Sequence, residues 1–268
     1  MDTLFSHVSI VTMDDRMSVW TDSFLGVTDG KISYLGKKAP EEQPQTIIDG
    51  SGMVLMPGLI NCHTHLPMTI LRGYADDLKL QEWLNDYIFP REAHLDDRAV
   101  KAAAQLAIAE CLRFGVTSVS DMYFCSDAVA EAVAESGIKA NLCHAVTTDR
   151  TDDFDPDTDP DFREAEALHD KWHGYDGGRI RIDCGIHAEY TSTYPAWEAL
   201  SKYALENGLG MQLHLSETKQ EQEDCEERSG LTPAQLLDCH HLFDVPTVAA
   251  HCVWLTEEDM RLLAKRHV

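Results

Sequence analysis

No apolar run in this 268-residue sequence approaches the roughly 18 residues that suggest a membrane-spanning helix. Basic side chains are scarce: 22 Lys and Arg stand against 46 Asp and Glu, a formal charge of −24. Such a surface repels nucleic acid and anionic membranes, so neither is expected as a partner. The eight cysteines include no CxxC pair, and an even count in a chain this long does not make a disulfide framework. They are expected to be buried, reduced thiols of a cytoplasmic protein. No glycine-rich phosphate loop follows a strand-like run, which leaves a nucleotide-binding reading without its main support. Met1 to Asp15 carries acidic residues and alternates like a strand, so it is not a signal peptide. The acidic run Thr151 to Asp161 lacks the glycine and closing glutamate of an EF-hand loop and reads as a solvated loop.

What is present is enough apolar material, 44%, for a full core. Val8–Val11, Phe24–Val27 and Ile32–Leu35 read as short strands, with Asp29-Gly30 as a hairpin turn. Asp49-Gly50 reads as another such turn, so the opening is expected to be a small antiparallel unit. After Pro57-Gly58 the character changes to alternating strands and helices. Strands are expected at Val54–Ile60, Val116–Asp121, Ile138–Ala145, Ile180–Ile186, Met211–Leu215 and Val248–His251. Helices are expected at Asp97–Phe114, Ala128–Ser136, Glu164–Trp172, Trp197–Asn207, Pro233–Cys239 and Glu257–Arg266. Alternation of this kind means parallel βαβ units, an α/β fold. Six strands suit either an open doubly wound sheet or part of a (β/α) barrel, and the count alone does not choose.

The chemistry points to the barrel. His63 and His65 close the first strand, and residues i and i+2 of an extended segment point the same way. Two imidazoles can thus grip one metal at the strand's C-terminal end. His214, also closing an apolar strand, can complete a three-nitrogen set. Glu217, three residues on, is a carboxylate able to move protons during hydrolysis. His251 and His187 close two further strands, so four strand ends carry histidine. His144 and Asp121 sit at strand ends without a clear task; Asp121 reads as a supporting carboxylate. The set Trp83, Leu84, Tyr87, Ile88 and Phe89 has helical spacing and can serve core and pocket together.

The stretch Val54–Met68, VLMPGLINCHTHLPM, resembles the opening of the amidohydrolase superfamily. The likeness extends through Trp83–Glu92, Ile186–Ser192, His214–Thr218 and His251–Leu255. The branch it resembles most holds the 5-methylthioadenosine and S-adenosylhomocysteine deaminases. That resemblance implies one divalent metal on His63, His65 and His214: zinc, with iron the other ion that imidazole suits. No lysine closes a strand to bridge a second metal. The resemblance also implies that Glu217 shuttles protons and contacts substrate, that His251 stabilises the attacking hydroxide, and that Glu92 and His187 hold the ribose and its surroundings. A substrate-contacting arginine of the family is matched by neither Arg150 nor Arg163 with certainty, and Trp254 stands where relatives often carry histidine. The expected partner is a small nucleoside, and a homo-oligomer is compatible with it. The expected layout is part of a small β-sandwich over residues 1–56, then a TIM-like (β/α) barrel over 57–268 that lacks its last strands. The family's eighth-strand aspartate and the second half of its sandwich have no counterpart in these residues. The chain by itself is therefore expected to show little activity and to aggregate unless covered. Other readings are a guanine or cytosine deaminase, a chloro-triazine hydrolase, or a metal-binding protein without catalysis.

Overall fold

The computed structural model describes residues 1–148 and 154–268. Arg150 and the start of the acidic run lie outside the described residues. The fold is mixed α/β and divides into two compact units, Met1–Leu59 and Ile60–Val268.

The first unit is a sheet of β1 (Thr3–Val11), β2 (Val19–Thr28), β3 (Lys31–Gly36), β4 (Thr46–Asp49) and β5 (Val54–Leu55). The hairpin at Asp29-Gly30 forms as its sequence dictates. Both residues take positive φ, 50° and 70°, the requirement of a tight turn between twisted strands. Asp49-Gly50 does not reverse the chain, and the unit is not purely antiparallel. β4 and β5 both run parallel to β1, as two halves of one interrupted strand. Gly50 donates its N–H to the Ser6 carbonyl at 2.7 Å, and a Cβ there would meet the Val8 Cβ at 2.7 Å. Glycine is required by this close approach, not by a turn. The expected single strand Val54–Ile60 is likewise two strands. β5 pairs β1, whereas β6 (Leu59–Thr64) pairs β7 (Val116–Tyr123). Pro57 between them has no N–H for either ladder and holds Met56 extended.

The second unit carries β6 and β7, β8 (Lys139–His144), β9 (Ile180–Ile182), β10 (Cys184–Gly185), β11 (Met211–Leu215) and β12 (Thr247–His251). The order is β6-β7-β8-β9 in one sheet and β10-β11-β12 in the other. Only Asp183 separates β9 from β10, and its N–H still reaches the Leu142 carbonyl at 2.9 Å. A parallel bridge joins Val146 to Ile186 beyond it. With β9 and β10 taken as one interrupted strand, the seven segments act as one sheet in chain order, parallel along β7 to β12.

That sheet is strongly curled. Ser120 on β7 donates to the Gln212 side chain on β11 at 2.9 Å, although two strands lie between them. In a flat sheet their separation would be roughly 14 Å. The sheet does not close: β6 and β12 end the ladder among the described residues. Exposed Leu59 and Ile60 on β6 mark that edge.

Helices pack on the outer face. Trp197 and Leu200 of the helix Tyr194–Asn207 share a core with Met211, Leu213 and Leu215. Val129 and Val133 of the helix Ser126–Ser136 pack with Val119 and Leu142. The latter helix ends at Gly137 in the left-handed cap its sequence announces, φ 79°. Among the helices not expected is Lys219–Ser229, whose only apolar residue is Cys225. No helix among the described residues is long and apolar enough to cross a membrane. All eight cysteines are free, yet only Cys143, Cys184 and Cys225 are buried; Cys62 and Cys239 are exposed, correcting the expectation that they would be core thiols.

Candidate metal centre

Three histidines converge at the strand ends. One nitrogen from each of His63, His65 and His214 lies within 4.8 Å of the others, a spacing suited to a metal ion. The decisive detail is which nitrogen faces inward. His65 Nδ1 lies 2.6 Å from the Met122 carbonyl, and His214 Nδ1 lies 2.6 Å from the His187 carbonyl. A carbonyl only accepts, so each Nδ1 carries the proton. Burial lowers the pKa of both rings, so they are neutral, and each Nε2 presents a lone pair. Those two Nε2 atoms stand 3.2 Å apart. Facing lone pairs repel unless a cation sits between them. Two nitrogens bound to one tetrahedral zinc at about 2.0–2.1 Å would sit roughly 3.3 Å apart. The donor set therefore fits a divalent metal, and the carbonyl-anchored imidazoles are the usual support for such ligands. Burial, then the neighbouring His65 and His251, lowers His63 to about 4.

The remaining expected residues gather around this group. The His251 ring lies 5.1 Å from the rings of both His63 and His214, centre to centre. Its Nε2 is 3.6 Å from the Glu217 carboxylate. Half-burial raises the Glu217 pKa. The His187 ring lies 4.9 Å from that of His214, and its Nδ1 meets the Thr191 hydroxyl at 3.1 Å. Burial lowers it to about 4. Glu92 accepts a hydrogen bond from the Tyr123 hydroxyl at 2.5 Å; burial raises its pKa and that bond opposes the rise. All seven line one cavity of about 570 Å³. Leu84 and Ile88 are buried and also line it, so the aromatic segment serves core and pocket together. Arg163 is exposed, pairs with Glu166, and is not part of the lining.

Asp121, expected as a supporting carboxylate, is buried and accepts the Leu66 N–H at 2.6 Å, fixing the turn after His65. Burial lifts it to about 7, opposed by that hydrogen bond. Glu221, from the unexpected helix, was missed. Its two oxygens accept from the N–H groups of Ser216 and Glu217 at 2.7 and 2.9 Å. Ser216 is held at φ 48°, a left-handed conformation unusual outside glycine. Tyr123, the partner of Glu92, was missed as well. The signal for it was the i, i+2 relation to Asp121 on β7.

His144 is buried among charge. Its ring nitrogens lie 3.3 Å from Glu164 and 3.7 Å from Asp161. Burial would lower its pKa, but the two carboxylates outweigh burial and raise it to about 9. A raised histidine pKa contributes stability that is complete below about 6.5 and lost as pH rises through about 9. We expect the urea midpoint to fall across that window. His144→Gln should flatten the slope there; an unchanged slope would show that the imidazole is neutral in the fold.

A curled α/β sheet thus carries three metal-competent imidazoles and an acid–imidazole pair at its strand ends, the features of a candidate metal centre. The chain belongs to the amidohydrolase family, whose model matches residues 54–268. It is 39% identical over 248 residues to the 5-methylthioadenosine/S-adenosylhomocysteine deaminase of Moorella thermoacetica, covering 91% of this chain and 56% of that protein. It is 37% identical over 267 residues to the 5'-deoxyadenosine deaminase of Methanosarcina barkeri, covering 100% of this chain and 61% of that protein. The crystal structure of an adenosine deaminase from Xanthomonas campestris with bound zinc superposes with a TM-score of 0.89 at 32% identity, over 99% of this chain and 61% of that one. The chain thus spans somewhat over half the length of these relatives.

Proposed function

We propose that these residues carry most of the active site of a metal-dependent deaminase that converts adenosine-type nucleosides to inosine-type products and ammonia. The observation that carries this is the pair of carbonyl-anchored imidazoles with facing Nε2 atoms, set beside Glu217 and His251. In this reading the curled sheet is part of a TIM-like (β/α) barrel over 57–268, and residues 1–56 are part of a small β-sandwich. The setting is cytoplasmic and the substrate a small nucleoside.

His63, His65 and His214 would hold the metal, zinc in this proposal. When bound, the ion supplies Lewis acidity that brings the pKa of a water toward neutrality. The protein's own groups do the rest. Glu217, kept protonated to higher pH than a free glutamate, donates to N1 of the purine as oxygen adds at C6. His251 Nε2 orients that oxygen. The amine leaves as ammonia after taking a proton, so one water is consumed for each ammonia released. Glu92, held by Tyr123, accepts from ribose hydroxyls, and His187 closes the same side of the cavity.

The test is a substrate panel on the zinc-loaded protein that contains these residues. Deamination of 5-methylthioadenosine or 5'-deoxyadenosine is expected, followed by loss of adenine absorbance and release of ammonia. Turnover of guanine, cytosine or a chloro-triazine in their place would overturn the nucleoside assignment.

Glu221 should matter without touching substrate. Glu221→Ala leaves two backbone N–H groups of the Ser216–Glu217 turn unpaired, at a cost of about 1–3 kcal/mol. A displacement of Glu217 by roughly 1 Å lowers kcat on the order of 100-fold. We expect zinc content to stay at the wild-type level and Glu221→Gln to recover part of the rate. A fall in zinc content equal to the fall in kcat would assign Glu221 to metal retention instead.

A further inference from the structure

His187 differs from His65 and His214 in what faces its Nδ1. The other two meet carbonyls, which only accept. His187 Nδ1 meets a hydroxyl, that of Thr191, at 3.1 Å. A hydroxyl has one proton to give and two lone pairs, so the tautomer of His187 depends on where the Thr191 proton goes. Two acceptors compete for it, His187 Nδ1 and the Ala188 carbonyl, each at 3.1 Å. The carbonyl is already supplied. It accepts from the Ser192 hydroxyl at 3.0 Å and from the Thr191 N–H at 3.3 Å, which fills its two lone pairs. The direction of the Ser192 bond is fixed in turn by Trp197. The indole Nε1–H can only donate, and it reaches Ser192 Oγ at 2.6 Å, so the serine proton must point at Ala188. Thr191 Oγ1 accepts the Ala188 N–H at 3.0 Å, which leaves its own proton for the imidazole. Ala188 is 0%, Trp197 1% and Ser192 6% exposed, so water does not compete within this chain of bonds.

We propose that Thr191 is a positioning residue that holds His187 as the Nε2–H tautomer, making it a hydrogen-bond donor to a lone-pair acceptor of the nucleoside. The substrate half of this rests on the deaminase reading above. His187 lines the cavity, and its ring lies 4.9 Å from that of the ligand His214. It nevertheless stands outside the set of mutually close ligand nitrogens. The tautomer supplies the chemical reason: His65 and His214 turn a lone pair inward, whereas His187 offers a proton. The acceptor it suits is a ribose oxygen or a purine ring nitrogen. The two functions meet in one residue, because the His187 carbonyl anchors His214 Nδ1 while the His187 ring serves the substrate.

The experiment has two arms, both on zinc-loaded protein that contains these residues. Nitrogen NMR of isotope-labelled histidines, with the His187 signals identified by their loss in His187→Gln, reads the tautomer directly. We expect a protonated Nε2 and a bare Nδ1 in the wild type. A protonated Nδ1 overturns the proposal, with or without turnover. In the kinetic arm, Thr191→Val removes the hydroxyl at nearly constant shape. KM for 5-methylthioadenosine should rise about tenfold, the fold-change of one hydrogen bond, with kcat within about threefold and zinc content at the wild-type level. Thr191→Ser, which keeps the hydroxyl, should return KM to within about threefold of wild type. An unchanged KM in Thr191→Val, or an equal loss in Thr191→Ser, overturns the positioning role and leaves the deaminase reading intact. Wild-type protein that deaminates no nucleoside overturns that reading and the substrate half of the proposal, while the spectrum still decides the tautomer. Should Thr191→Val fail to fold, the wild-type spectrum remains decisive.

Discussion

We expect alanine at His214 to abolish stoichiometric zinc binding and His251→Ala to leave it intact. The first result follows from the geometry of β11. His214 is 5% exposed, its Nδ1 is committed to the His187 carbonyl, and its Nε2 stands 3.2 Å from that of His65. Second-sphere changes alone cost metal sites roughly 10–100-fold in affinity, so loss of a ligand should cost at least 100-fold. Metal analysis after dialysis against zinc-buffered solution should give about one zinc per wild-type chain and under about a tenth of that for His214→Ala. His251 lies beside the group but outside the set of mutually close ligand atoms. Its removal should leave the zinc in place and affect turnover. His240, partly exposed, paired with Glu198 and outside the cavity lining, serves as the neutral control. Full zinc retention by His214→Ala with native circular dichroism would mean that the metal, if bound, sits elsewhere.

Much of this site was legible because buried parallel strands are written as continuous apolar runs. Met211–Leu215 is buried at every position, and Met-Gln-Leu-His-Leu announces it. A histidine at the end of such a run is conspicuous, and the i, i+2 spacing of His63 and His65 fixes their common direction. The break between β5 and β6 was less visible. Val54 to Ile60 is apolar on both sides of Pro57, and only the proline's missing donor separates two ladders.

The helix Lys219–Ser229 was illegible for a sharper reason. Its buried positions are Glu221, Gln222 and Cys225, so the inward face is largely polar and carries no apolar period. What it buries is the carboxylate that clamps the Ser216–Glu217 turn, which is function rather than core. The curl of the sheet was equally hidden. It is expressed in Ser120–Gln212 and in His65–His214, contacts between residues 92 and 149 positions apart, which no local pattern encodes. The left-handed residues Ser216, His251 and Cys252 also gave no warning. Positive φ at non-glycine positions is held by surrounding structure, and these three lie at or beside Glu217 and His251.

Glu217→Gln should reduce kcat by about 10²–10⁴-fold while leaving KM and zinc content near wild type, the range lost with a positioned general acid or base. Glutamine keeps the shape of the side chain and can still accept at its oxygen, but it cannot cycle a proton between water, ring nitrogen and leaving amine. The pH profile separates this role from a structural one. Burial raises the Glu217 pKa, so its acid form persists to higher pH than in a free glutamate and is depleted as pH rises beyond that value. Wild-type turnover should therefore fall along an alkaline limb that belongs to this carboxyl. In Glu217→Gln the residual rate should lack that limb. Burial also lowers the pKa of the adjacent His251, 3.6 Å away, so the imidazole remains neutral and its limb lies on the acid side in both proteins. A variant that retained more than about a tenth of wild-type kcat would remove Glu217 from proton transfer, because a loss under tenfold is less than 1.4 kcal/mol of transition-state stabilisation. The neutral His251 imidazole would then be the remaining candidate for the proton carrier.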